Sequence, residues 1–198
     1  MKSSNSNPVR ERFLNTLLEI SDQVRENSIS IDMIQVLKLI DMIIDLDSRD
    51  SRIFIYGAGR SGFIGRCFAQ RLMHLGIKSC FVTDAVTYRY GKEDLLIIIS
   101  GSGSTTTPLA IAGKANEIGG KIALLTANPS SPIGKLSNLI IKVEGKSKDQ
   151  ATSRKTLAPF TSLFDISTLA ILDSIGASIM GKLNVSEDDI DKRHASVE

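Results

Sequence analysis

Two turns rich in glycine and hydroxyl side chains, together with a few titratable groups, carry the chemistry this sequence could do. The first turn is Gly57-Ala58-Gly59-Arg60-Ser61-Gly62. It follows a short apolar run at 53–56 and precedes apolar residues at helical spacing over 63–75. Strand, tight turn and helix open an α/β unit, whose turn points backbone N–H groups at an anion over the helix N-terminus. Gly57-x-Gly59-x-x-Gly62 also fits the dinucleotide-binding fingerprint, a spacing shared by many strand-to-helix turns. The second turn, Ser100-Gly101-Ser102-Gly103-Ser104-Thr105-Thr106-Thr107-Pro108, follows the apolar run 95–99. Pro108 suits a first helical turn, where its missing N–H costs nothing. The hydroxyls of Ser100, Ser102, Ser104 and Thr105 beside free N–H groups suit a phosphate bound without metal. The same residues also describe a capped helix after a polar turn.

The titratable candidates are fewer. Asp165 lies near the start of a long apolar stretch, just after the polar segment 144–158. It is either an acid in a first helical turn, favoured by the helix dipole, or a carboxylate aimed into a cleft, and position alone allows both. His74 closes the first α/β helix, where the helix C-terminus favours it. His194 sits near the chain end among charges. Alone it reads as a surface residue, and it completes a site only if something docks the terminus, as a neighbour's pocket does in many oligomers. Asp45, Asp47 and Asp50 have a spacing faintly like a calcium loop, but lack its glycine and downstream glutamate, and read as a solvated turn.

The elements that must position these groups follow from periodicity. Residues 9–27 carry Phe13, Leu14, Leu17, Leu18 and Val24 at helical spacing. A second helix is expected over 30–46, capped by Ser30, with a wide apolar surface that includes Ile34, Leu37, Ile40 and Ile43. Both surfaces fit subunit contact as well as core packing. Strands are predicted at 53–56, 78–83, 95–99, 121–125 and 139–143, and helices at 63–75 and from Pro108 to a stop at Gly119-Gly120, with a short helix near 133–136. A long helix over 160–183 precedes a last one opened by the capping box Ser186-Glu-Asp-Asp189. Alternating strands and helices predict a parallel sheet covered on both faces.

Composition bounds the rest. A chain of 198 residues with 42% hydrophobic and 23% charged content is expected to form one domain over 1–198 with a sizeable core. A net charge of +2 and the absence of Trp give no electrostatic or stacking case for nucleic acid, and no membrane partner is expected. Cys67 and Cys80 read as small buried hydrophobes in a reducing compartment. No apolar run approaches membrane-spanning length, and residues 1–8 lack the apolar core of a secretory signal. The expectation is a cytoplasmic protein.

On the two turns, the helix after the first (Arg66-Cys-Phe-Ala-Gln-Arg-Leu-Met-His-Leu-Gly76) and the C-terminal Lys192-Arg-His-Ala-Ser-Val-Glu198, the chain resembles the sugar isomerase (SIS) domain family, and within it the 6-phospho-3-hexuloisomerases. The resemblance implies a flavodoxin-like five-stranded parallel sheet with helices on both faces and two further N-terminal helices. It implies a homotetramer and isomerisation between D-arabino-3-hexulose 6-phosphate and fructose 6-phosphate through a cis-enediol, with neither metal nor redox cofactor. Gly57, Gly59, Arg60 and Ser61, with Ser100, Gly101, Ser102, Gly103, Ser104 and Thr105, would bind the sugar phosphate. Asp165 would shuttle the proton, and His194 would open the sugar ring, reaching into a neighbouring subunit.

The sequence departs from that family at the catalytic segment. Where the hexuloisomerases usually read Pro-Met-Gly-Thr-x-Phe-Glu, this chain has Pro159-Phe-Thr-Ser-Leu-Phe-Asp165, and 83–89 lacks their Thr-Thr-Pro. A threonine stands at the glycine, and the carboxylate is one methylene shorter. Other readings are an isomerase for a pentose or heptose phosphate, or a SIS protein that binds sugar phosphate without turnover. A dinucleotide-dependent oxidoreductase, with Asp84 on the ribose, leaves the second turn without a role.

Overall fold

The computed structural model describes residues 7–145 and 156–196. The polar segment therefore lies largely outside the described residues, as do most of the leader region read for a signal and the last two residues. Five strands, β1 (Ile53–Gly57), β2 (Ser79–Phe81), β3 (Leu95–Ile99), β4 (Lys121–Thr126) and β5 (Leu139–Lys142), form one sheet in the order β2-β1-β3-β4-β5, every pair parallel. The helices are α1 (Pro8–Ser30), α2 (Met33–Ser48), α3 (Arg60–His74), α4 (Thr106–Ile118), α5 (Ser162–Leu183) and α6 (Glu187–Asp191). A 3-10 turn, Gly134–Leu136, precedes β5.

Handedness assigns the helices to faces. The chain steps from β1 through α3 to β2 in one direction, and from β3 through α4 to β4 in the other. Right-handed crossovers of opposite direction put α3 and α4 on opposite faces. α5 packs on α3, α1 and α2, completing the α3 layer, while α4 covers β3 and β4. β1 and β3 are buried at every residue, as the continuous apolar runs of a two-sided sheet require. Asp94 fixes where β3 begins, accepting the N–H of Arg52 and of Gly91, each at 2.8 Å.

The N-terminal helices differ from expectation. Ser30 is the last residue of α1. Asp32 caps α2, its carboxylate accepting the N–H groups of Ile34 and Gln35. Ser30 falls too early because Ile31 adopts an extended conformation and its N–H still closes α1 on Asn27. The buried residues of α1 are the polar Gln23 and Asn27, while Phe13, Leu14, Leu17 and Leu18 are exposed. Asn27 holds the chain after β5 by exchanging hydrogen bonds with Glu144, accepting its N–H at 2.7 Å and donating to its carbonyl at 2.8 Å. Glu19 accepts the N–H groups of Leu157 and Ala158 at 2.8 and 2.7 Å. α1 thus pegs both flanks of the segment leading to α5.

Two other expectations change. Cys67 is exposed and Cys80 half-buried, both free thiols; Cys67 falls on the outer side of α3. α5 is long and apolar enough to cross a membrane by length and composition, which the interrupting polar residues conceal in the sequence. Half of that stretch is buried inside the fold, so here it serves as a core helix. The aspartates at 45–50 make ion pairs, Asp45 with Arg49 and Asp50 with Lys78, and among the described residues no cluster of three or more His, Cys, Asp or Glu forms.

Among the described residues, the buried side-chain polar atom without a hydrogen-bond partner is the Ser167 hydroxyl on α5, 1% exposed. An orphaned buried hydroxyl costs about 1–3 kcal/mol, and alanine is the better helix former. Ser167→Ala is expected to raise Tm by roughly 2–4 °C per kcal/mol recovered. A lower Tm in a thermal melt would show that the hydroxyl has a partner, such as a bound water.

Candidate active site

The strand order reverses between β1 and β3, whose last residues, Gly57 and Ile99, are paired. Chains leaving neighbouring strands for opposite faces open a crevice at the strands' C-terminal ends, where open α/β sheets bind ligands. A cavity of about 270 Å³ lies there. Its walls come from the turn after β1 (Ala58, Gly59, Arg60 and Ser61), from the turn after β3 (Ser100, Gly101, Ser102 and Thr105) and from the start of α5 (Phe160, Thr161, Phe164 and Asp165). The N-termini of α3, α4 and α5 converge on it, and none of the cap residues Gly59, Thr105 and Thr161 makes a side-chain cap hydrogen bond. Their positive dipole ends favour an anion.

The hydroxyl turn is tied internally. Ser100 Oγ accepts the N–H of Gly103 at 3.2 Å, and Ser102 Oγ accepts that of Ser104 at 3.3 Å. Ser102 Oγ lies 3.4 Å from Thr105 Oγ1. Gly103 adopts φ 63°, and a Cβ there would sit 2.0 Å from Ser131 Oγ. Ser131 in turn accepts the N–H of Gly134 at 3.2 Å, so the loop after β4 supports the turn from beneath.

Asp165 stands opposite, in the first turn of α5, 3% exposed. Its Oδ2 accepts the Thr161 hydroxyl at 2.6 Å and Arg60 Nε at 3.0 Å, and its Oδ1 accepts the Ser61 hydroxyl at 3.2 Å. A buried carboxylate needs such partners, and Arg60 makes it an ion pair. Thr161 has φ 64°, left-handed backbone that costs a β-branched residue of the order of 1–3 kcal/mol.

The structure thus brings Gly59, Arg60, Ser61, Ser100, Gly101, Ser102, Thr105 and Asp165 to one cavity. Gly57, Gly103 and Ser104 are not in its lining. Gly57 serves the turn itself, since a Cβ there would meet the Ser61 carbonyl at 2.6 Å. His194 lies elsewhere. Its ring stacks on His74, centroids 4.1 Å apart, and Arg193 donates to the His74 carbonyl at 3.0 Å. His74 ends the helix that Arg60 begins, about 20 Å away at 1.5 Å per residue. Asp84 pairs with Arg66 rather than lining the cavity. Sequence reasoning missed Thr161, Phe160 and Phe164. The signal for Thr161 was a hydroxyl four residues before a carboxylate, one helical turn apart.

Fold and cavity together define an α/β protein in which two glycine- and hydroxyl-rich turns face a buried carboxylate. Residues 46–170 match the SIS domain family, and the chain belongs to that family. It is 41% identical to the 3-hexulose-6-phosphate isomerase of Methanocaldococcus jannaschii over 158 residues, covering 80% of this chain and 83% of that one. It is 39% identical to the Bacillus subtilis enzyme of the same name, covering 80% and 86%. A Methanococcus jannaschii crystal structure, from which a 3-hexulose-6-phosphate isomerase function was inferred, superposes with a TM-score of 0.77 at 38% identity, covering 90% of this chain and 97% of that one.

Gly103→Ala is expected to break the anion turn, lowering Tm and removing the thermal stabilisation given by a sugar phosphate. A native melting temperature with a native response to sugar phosphate would show that the turn tolerates a Cβ.

Proposed function

We propose that this chain, a sugar-phosphate isomerase of the SIS family, interconverts D-arabino-3-hexulose 6-phosphate and fructose 6-phosphate. The observation that carries the reading is the meeting, in one cavity, of a buried carboxylate and helix N-termini left without side-chain caps. The phosphate anchors on the Ser100–Thr105 turn and the N-terminus of α4. Asp165 takes the proton from one of C2 and C3, giving a cis-enediol, and returns it to the other. A partly dry cleft suits a carboxylate base. The backbone N–H groups in the first turn of α3, beside Ser61, stabilise the developing oxyanion. The substrate gives the protein a place in the ribulose monophosphate pathway, and the two free thiols suit the cytoplasm.

In this reading the ring-opening role of His194 belongs to a neighbouring copy's cavity, since its own lies about 20 Å along α3. Copies of the chain, four in this reading, would also cover the apolar outer face of α1, where Phe13 is 66% and Leu17 54% exposed. Light scattering is expected to give the mass of four chains, and a monomer would overturn this assembly.

The decisive experiment supplies hexulose 6-phosphate from ribulose 5-phosphate and formaldehyde through a separate synthase and follows fructose 6-phosphate. Native protein is expected to turn over, and Asp165→Asn to lose at least about a hundredfold in kcat, the worth of a general base, while keeping its thermal response to sugar phosphate. An Asn variant at native rate removes Asp165 from the chemistry. Native protein that is stabilised by sugar phosphates without turnover is instead a binding-only SIS protein or an isomerase of another sugar phosphate.

A further inference from the structure

We infer that Thr161 is a positioning residue for Asp165, one that selects which carboxylate oxygen moves the proton; this rests on Asp165 being the base. A threonine at a helix N-cap ordinarily turns its hydroxyl to the backbone N–H groups of the first turn, accepting from them. Thr161 makes no such bond. Its hydroxyl donates to Asp165 Oδ2 at 2.6 Å, while its carbonyl accepts the Asp165 N–H at 2.9 Å. Both oxygens of one residue therefore hold the main chain and the side chain of the same aspartate. They do so from a backbone at φ 64°, which a β-branched residue seldom adopts.

The two carboxylate oxygens are left unequal. Oδ2 carries two donors, the Thr161 hydroxyl and the Arg60 guanidinium, and Oδ1 carries only the Ser61 hydroxyl at 3.2 Å. A carboxylate oxygen has two lone-pair sites, so Oδ2 is filled and Oδ1 keeps one open. The geometry assigns proton transfer to Oδ1 and anchoring to Oδ2. Aspartate has one side-chain torsion fewer than glutamate, and a donor on one oxygen is enough to stop the carboxylate plane from turning about its last bond. Arg60, with its side chain 63% exposed, is the looser of the two anchors, which leaves Thr161 as the one that sets the plane.

The test compares Thr161→Val, Thr161→Ser and Thr161→Gly in the hexulose 6-phosphate assay, with thermal melts. Val keeps the shape and removes the donor: kcat is expected to fall about tenfold to a hundredfold, the scale of a misplaced catalytic group, with KM within about twofold. Ser keeps the donor and is expected to retain most of the native kcat. Gly relieves the left-handed backbone and removes the donor, so it is expected to melt no lower than the native protein yet lose kcat as Val does. Lower activity in a protein no less stable is an outcome that a merely structural threonine would not give. Native kcat in the Val or Gly variant overturns the inference. Asp165→Asn run alongside separates the two failures: inactive Asn with native-rate Val overturns the role of Thr161 alone, and active Asn overturns the role of Asp165 itself.

Discussion

One buried carboxylate ties the site together. Asp165 is 3% exposed, and a charge taken so far from water persists only with donors on its oxygens. Those donors come from two places. Arg60 and Ser61 open α3, and Thr161 precedes α5. The ionic contact therefore fastens the N-terminus of α3 to that of α5, and the packing of these helices along their length carries that register into the core. The cavity's floor follows from the same contact. Phe164, one residue before Asp165, lies against Gly101, where an added Cβ would meet its ring at 3.3 Å. Placing the carboxylate thus also places the ring under the hydroxyl turn.

The sheet supplies the other half of the constraint. Reversal of strand order between β1 and β3 puts two helix N-termini side by side above paired strand ends, and an anion there neutralises both dipoles at once. In the proposed reaction a phosphate held there would set the distance from the reacting carbons to the carboxylate on a third helix. Positioning of this kind contributes much of an enzyme's rate before any chemical group acts.

Most of this frame was legible because it rests on continuous or strictly periodic patterns. The run 95–99 can only be a strand buried on both faces, and it is β3 residue for residue. Gly119 ends α4 in left-handed backbone, and the Ser186–Asp189 box opens α6 with both reciprocal bonds. Patterns that report amphipathicity without saying what covers each face were read less well. Cys67 sits in an apolar context yet points outward, and Ser30 yielded the cap of α2 to Asp32. Thr161 was visible only as a hydroxyl one helical turn before Asp165 and as a threonine at the glycine of the pattern it resembles. Its contact with Asp165 depends on a backbone angle that no periodicity encodes.

α1 keeps its apolar face out of the core, and that has a physical use. A helix that turns Gln23 and Asn27 inward and Phe13, Leu14, Leu17 and Leu18 outward gains little from its own core. In water its outer face is a patch of the kind that marks an interface. Yet Glu19 and Asn27 on this helix hold the chain on both sides of the segment before α5, whose first turn bears Asp165. A cover over the outer face of α1 would hold those pegs in place, and with them the lead-in to Thr161 and Asp165. A cover of that kind would couple assembly to site geometry through one helix: what buried Leu17 would also steady the backbone from which the carboxylate is aimed.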